Sequence, residues 1–145
     1  LAAMCGLQDS PINGVSSLAN SVVDICGITD LSEPDDSHFP ISMSFLEQYM
    51  GCSHPGNEEK WLEASPISYS GLAKVPFLII HGEADEIVPL SQSQSLAGKL
   101  FAAGADVEFH ALLGEGHSFT YSGWLKIERL FEEFLKRTLC HEHVA

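Results

Sequence analysis

Two short loops carry the ionisable residues best placed for chemistry. One is His81-Gly-Glu-Ala-Asp85-Glu-Ile-Val-Pro89, and the other is Leu113-Gly-Glu-Gly-His117-Ser-Phe119. A carboxylate bonded to one imidazole nitrogen fixes the ring tautomer and frees the other nitrogen as a base. Asp85 and His117 would then form the orienter and base of a nucleophilic triad, in which the base activates a hydroxyl or thiol. On spacing alone, the same residues also read as a solvated loop aspartate and a polar loop histidine.

The flanking elements decide whether the two can meet. Pro76-Phe-Leu-Ile-Ile-His81 is a continuous apolar run, as expected of a strand buried on both faces of a parallel sheet. Val107-Glu-Phe-His-Ala-Leu112 alternates and predicts another strand. Val22 to Thr29 is β-branched and apolar and predicts a third. Ser91-Gln-Ser-Gln94 has the form of a capping box before Leu96, Ala97, Leu100 and Phe101, which share one helical face. Gly123 to Leu139 predicts a final helix with Trp124, Ile127, Leu130, Phe131, Phe134 and Leu135 as its apolar stripe. Leu1 to Leu7 reads as the end of a helix.

Residues 31–74 are less regular and predict a helical insertion over the scaffold. Leu31 to Pro40 is a proline-containing acidic loop with Glu33, Asp35 and Asp36. Met43 to Met50 predicts a helix ended by Gly51, and Asn57 a cap for a second one over Glu58 to Ala64, which Ser65-Pro66 stops. Trp61, Phe45 and Tyr49 are expected in the core of this insertion. Strands alternating with helices predict one α/β domain over residues 1–145, three-layered α/β/α with a mostly parallel sheet. Ligands bind such sheets beyond the carboxyl ends of the strands, where both loops fall. Adjacent strands lie about 4.8 Å apart, so Asp85 and His117 are expected within direct or one-water reach.

His81-Gly82-x-x-Asp85-x-x-Val88-Pro89, followed by Gly114-x-Gly116-His117, resembles the C-terminal half of an α/β-hydrolase. It is most similar to the branch of prolyl-oligopeptidase-like peptidases, small esterases and formamidase-like enzymes, which Ala64-Ser65-Pro66 also resembles. The resemblance implies a partial α/β-hydrolase fold, Asp85 as triad acid and His117 as triad base. It implies hydrolysis of a small-molecule carboxylic ester through an acyl-enzyme with no cofactor or metal, and as alternatives a peptidase or a non-catalytic domain. No Gly-x-Ser-x-Gly occurs in the chain, and Gly14-Val-Ser16-Ser17-Leu18 lacks the second glycine. Leu1-Ala2-Ala3-Met4 resembles the stretch that follows the nucleophile elbow. The expectation is therefore a chain that opens about five residues past the serine, lacks the oxyanion loop and is inactive alone.

Other candidates carry blander expectations. His81 is expected to be structural, Cys26 a small core residue within its strand, and Ser118 no nucleophile, since it sits on no elbow. Cys140, His141 and His143 crowd a tail and are not expected to form a physiological metal site. Seven Lys and Arg against twenty Asp and Glu give a net charge of −13, which argues against nucleic acid and anionic membranes as partners. The four cysteines, none in a Cys-x-x-Cys pair, predict free thiols in a reducing, cytoplasmic setting. The apolar strand from Val22 would be an open sheet edge, which predicts a homo-oligomer.

Overall fold

The computed structural model describes residues 1–32 and 38–139. Along the chain come α1 (Ala2–Leu7), β1 (Val22–Ile25), α2 (Pro40–Met50), α3 (Glu58–Ala64), a 3-10 helix (Pro66–Leu72), β2 (Phe77–Gly82), α4 (Leu90–Ala102), β3 (Val107–Leu112) and α5 (Tyr121–Leu139). The acidic stretch 33–37 and the tail residues Cys140, His141 and His143 lie outside the described residues.

The strands form a sheet in the order β1, β2, β3, and both pairings are parallel. Central β2 is buried along its whole length, which is why Phe77 to Ile80 are all apolar. On one face, α1 and α4 bury Leu7, Leu96 and Leu100 against Val22, Phe77 and Ile79. On the other, α5 buries Ile127 and Phe134 against Leu78 and Ile80. Each such side chain taken from water contributes roughly 1.5–3 kcal/mol. Arg137 anchors the end of α5 to the start of β3, pairing with Asp106 at 2.6 Å and Glu108 at 2.7 Å.

Several boundaries differ from the sequence expectation, each for a local reason. β1 stops at Ile25 instead of Thr29, because Cys26 turns the chain with φ +51°. α2 starts at Pro40, whose fixed φ suits a first helical position. α5 starts at Tyr121, two residues early. There is no capping box on α4: Pro89 takes the N-cap position, and Ser91 already lies inside the helix. Asn57 occupies the N-cap of α3, but its amide donates to the Ser53 carbonyl at 2.9 Å.

The segment between β1 and β2 builds its own small core from Leu31, Leu46, Met50 and Trp61. In α2, Ser42, Leu46 and Met50 recur every fourth residue and face inward. Phe45 and Tyr49 therefore lie on the outer side, 58% and 70% exposed, and are not core residues as expected. Trp61 is fully buried.

The excursion is tied at its base. The Thr29 carbonyl accepts from Ile67 N–H at 2.9 Å, and Leu31 N–H donates to Ser65 Oγ at 2.8 Å. The Gln92 side-chain oxygen accepts from the N–H groups of both Thr29 and Asp30, at 2.9 and 2.8 Å. Turning Gln92 and Ser93 of α4 inward for such contacts is what displaces the expected capping pattern.

β1 holds one charge in an awkward place. Asp24 is buried, its Oδ2 lacks a hydrogen-bond partner among the described residues, and its carboxylate occupies the space a Cβ on Gly27 would need. Burial raises its pKa, and His81 only partly opposes this. With the folded pKa above the unfolded one, stability is full below the ordinary carboxylate range and falls as pH rises through the folded pKa. Asp24→Asn is therefore expected to raise the melting temperature by about 2–6 °C at neutral pH and by little in acid. Thermal melts at several pH values check this, and an equal effect at all of them would remove the ionisation argument.

The outer edge of β1 has no strand partner among the described residues, and Asp24 is its sole charged residue. Open apolar edges favour pairing with another chain. We propose that two copies of the 145-residue chain pair this edge about a two-fold axis. Light scattering should give a mass above the 15.8 kDa monomer, and a monomer mass unchanged on concentration would sink the idea.

Candidate active site

Asp85 and His117 meet above the carboxyl ends of β2 and β3. His117 Nδ1 lies 2.8 Å from Asp85 Oδ2. The Asp85 side chain is fully buried, whereas that of His117 is 40% exposed. With Nδ1 engaged, Nε2 is the nitrogen available to move a proton. A cleft of about 420 Å³ opens beside the ring, bordered by Ala84, Glu86, Ile87, Ser118 and Phe119.

The backbone explains the encounter. Ala84 N–H donates to the Glu115 carbonyl at 2.9 Å, and Glu83 N–H to that of Leu112 at 3.0 Å, lacing the two loops together. Gly82 permits this approach, since a Cβ there would strike the backbone of Glu115 and Gly116. Asp85 Oδ1 accepts from the N–H groups of Ile87 and Val88, each at 2.8 Å, which closes its own loop into a turn. Burial pushes the Asp85 pKa up, but the bonds from Val88, His117 and Ile87 outweigh it and hold the carboxyl below its usual range. The group is thus anionic where an imidazolium would need it.

His81 is fully buried beneath Asp85. Its Nδ1 is 2.7 Å from Ser93 Oγ, and its Nε2 is 3.0 Å from the Val88 carbonyl and 3.3 Å from Asp85 Oδ2. It holds the acid loop against α4. Ser118 is exposed, and its carbonyl accepts from the Trp124 indole at 3.2 Å. Tyr49 borders a second cleft of about 240 Å³ with Leu1, Met4, Ile28, Leu31 and Leu46.

Sequence reasoning missed two residues. Glu115 is buried and caps α5: its carboxylate accepts from Thr120 N–H at 2.6 Å and from the Thr120 hydroxyl at 2.8 Å. Those bonds lower its pKa, and a Cβ on Gly123 would collide with it. The signal was present as an acid before a threonine and a glycine at a helix start. Cys26 is the other. It lies under Asp85 with His81, the three ligand-type atoms within 4.8 Å of one another. No local pattern announces that proximity.

A parallel sheet covered on both faces, with an acid after one strand and a histidine after the next, is the arrangement in which α/β-hydrolases carry their catalytic acid and base. Within that class, the chain belongs to the BD-FAE family, which residues 2–100 match. That match takes in Asp85 and ends before His117. The chain is 36% identical over 92 residues to the esterase LipQ of Mycobacterium tuberculosis, covering 63% of this chain and 22% of LipQ. It is 28% identical over 131 residues to the probable carboxylic ester hydrolase LipM of the same organism, covering 86% of this chain and 30% of LipM. Among solved structures it superposes on a puromycin-hydrolysing peptidase of M. tuberculosis with a TM-score of 0.77 and 24% identity, over 87% of this chain and 19% of that one. On the esterase Est2 of Thermogutta terrifontis the TM-score is 0.71 at 20% identity, over 99% and 52% of the two chains. At these identities the structural likeness concerns the fold. The chain spans about a fifth to a third of the length of these curated relatives.

Proposed function

We propose that these residues form the acid–base half of a serine hydrolase acting on carboxylic esters. His117 Nε2 takes the proton of a serine hydroxyl as that oxygen attacks the ester carbonyl. The same nitrogen then gives the proton to the departing alcohol, leaving an acyl-enzyme that water cleaves by the same route. Asp85 holds the ring in the tautomer with hydrogen on Nδ1 and stabilises the imidazolium formed in each step. The serine is supplied from outside the motifs present in these 145 residues.

The 2.8 Å contact between His117 Nδ1 and the buried Asp85 carboxylate carries the reading, supported by the esterase names of the curated relatives. The test is hydrolysis of short p-nitrophenyl esters, with the matching p-nitroanilides alongside, by the product of the longest open reading frame containing these residues. Ester turnover supports the reading. Anilide cleavage in preference to ester would move it to a peptidase, and cleavage of neither would refute it.

A further inference from the structure

His117 rides on the short loop between Leu112, the end of β3, and Tyr121, the start of α5. Loops are the more mobile part of a fold, yet a triad base must keep one ring orientation. Among the described residues, Asp85 is the hydrogen-bond partner of the ring. The rest of the restraint has to come from the backbone around it.

Glu115 supplies that restraint twice. Its carbonyl accepts from Ala84 N–H at 2.9 Å, one residue before the acid. Its side chain crosses to the far end of the loop, where the carboxylate accepts from Thr120 N–H at 2.6 Å and from the Thr120 hydroxyl at 2.8 Å. The segment 116–119 is thereby closed into a ring that carries His117. The fold bears two local penalties to keep this carboxylate. Glu115 is buried, which is unfavourable for a charge unless hydrogen bonds satisfy it. The first turn of α5 holds Gly123, where a Cβ would come within 2.5 Å of the Glu115 carboxyl carbon, although glycine weakens a helix relative to alanine. A cap on α5 does not by itself require either. The Thr120 hydroxyl already accepts from Gly123 N–H at 3.1 Å, the kind of bond by which a threonine caps a helix.

We propose that Glu115 is a positioning residue for the base. With its carbonyl on Ala84 and its carboxylate on Thr120, it fixes the His117 loop against the acid loop, so that Nδ1 stays on Asp85 and Nε2 stays free to move a proton. What matters in this role is reach, not charge. A glutamine has the same length and can accept from Thr120 N–H while donating to the hydroxyl oxygen. An aspartate keeps the charge but is one methylene too short to span the loop.

The inference rests on Asp85 and His117 being acid and base, but its first test needs no turnover. The 145-residue chain, labelled with ¹⁵N-histidine, is studied by NMR at neutral pH and well below the melting temperature of every variant. In Glu115→Asp the His117 ring nitrogens should move from the Nδ1–H tautomer toward a mixture, and the Nδ1 proton should exchange with water about fivefold faster or more. Glu115→Gln should keep the parental tautomer. In the complete hydrolase, Glu115→Asp should lower kcat for p-nitrophenyl esters by about 10²-fold with KM little changed, the size of loss that misplacing a catalytic group produces. Glu115→Gln should recover most of it. A role confined to helix capping or packing would lower the melting temperature of Glu115→Asp and leave the ring signals and kcat at parental values. That result overturns the proposal, and so does a glutamine variant that fails where aspartate succeeds. Should Glu115→Asp not fold, Thr120→Val removes one of the two carboxylate bonds, and the same ring signals decide. Absence of ester turnover in the parent would instead strike the acid–base reading and leave the NMR result standing.

Discussion

His117→Ala is expected to lower kcat for p-nitrophenyl esters by on the order of 10⁶ in the complete hydrolase, since removal of a triad base costs about as much as removal of the whole triad. Asp85→Asn should cost about 10⁴, because an asparagine that donates to Nδ1 favours the wrong tautomer. The loss should lie in kcat, with KM little changed, because neither group needs to touch the ground-state ester. Circular dichroism should show both variants folded: His117 is well exposed, and the asparagine side chain has the size and shape of the aspartate that it replaces. Steady-state kinetics over a range of ester concentrations check the split. A His117→Ala enzyme retaining more than about a tenth of parental kcat would end the assignment.

The second large effect concerns the 145-residue chain by itself, which is expected to show essentially no ester turnover. A base without its nucleophile retains only what binding and any oxyanion donors supply, a deficit again of about 10⁶. The sequence holds no Gly-x-Ser-x-Gly, and Ser118, next to the base, lies in the exposed loop. Burst and steady-state assays at high protein concentration measure the residual rate. Turnover that vanishes in His117→Ala would reveal a nucleophile within these residues.

The elements that announced themselves are those whose local pattern and tertiary role agree. β3 and α3 fall where alternation and helix signals put them, and the distant contacts at their ends, from Arg137 and Leu31, do not move those ends. β1 and the start of α4 do not. In the first, a left-handed cysteine ends a run that propensity alone would continue to Thr29. In the second, Gln92 and Ser93 have partners across the fold, at Thr29 and His81, which fix the start of the helix more firmly than a cap would. Phe45 and Tyr49 look like core by residue type, but the four-residue spacing of Ser42, Leu46 and Met50 faces them outward.

The site divides in the same way. Asp85 and His117 could be read because both follow strands and sit in glycine-flanked loops. The function of Gly82 was legible only as part of a motif, since its reason is the backbone of Glu115 one strand away. The approach of Cys26 to Asp85 depends on the register of β1 against β2, where Ile25 lies opposite Ile80, and on one unusual φ angle. Neither quantity is written in a stretch of neighbouring residues.

The bonds that tie the base of the excursion have a consequence for how such a protein diverges. Thr29, Leu31, Ser65 and Ile67 close the neck, and Gln92 pins it to α4, so the strands receive the same ends whatever lies between. For a flexible segment closed at both ends, each doubling of length costs only about 0.6 kcal/mol. Lineages can therefore lengthen, shorten or rewrite the segment from Ser32 to Ala64 while the sheet and the Asp85–His117 pair stay in register. Among the described residues, the thread that passes inward from it is Ser42, whose hydroxyl donates to the Ile87 carbonyl in the acid loop. Natural drift in this region is thus channelled: the residues that close the neck are held, while the sequence between them is free to explore new molecular surfaces.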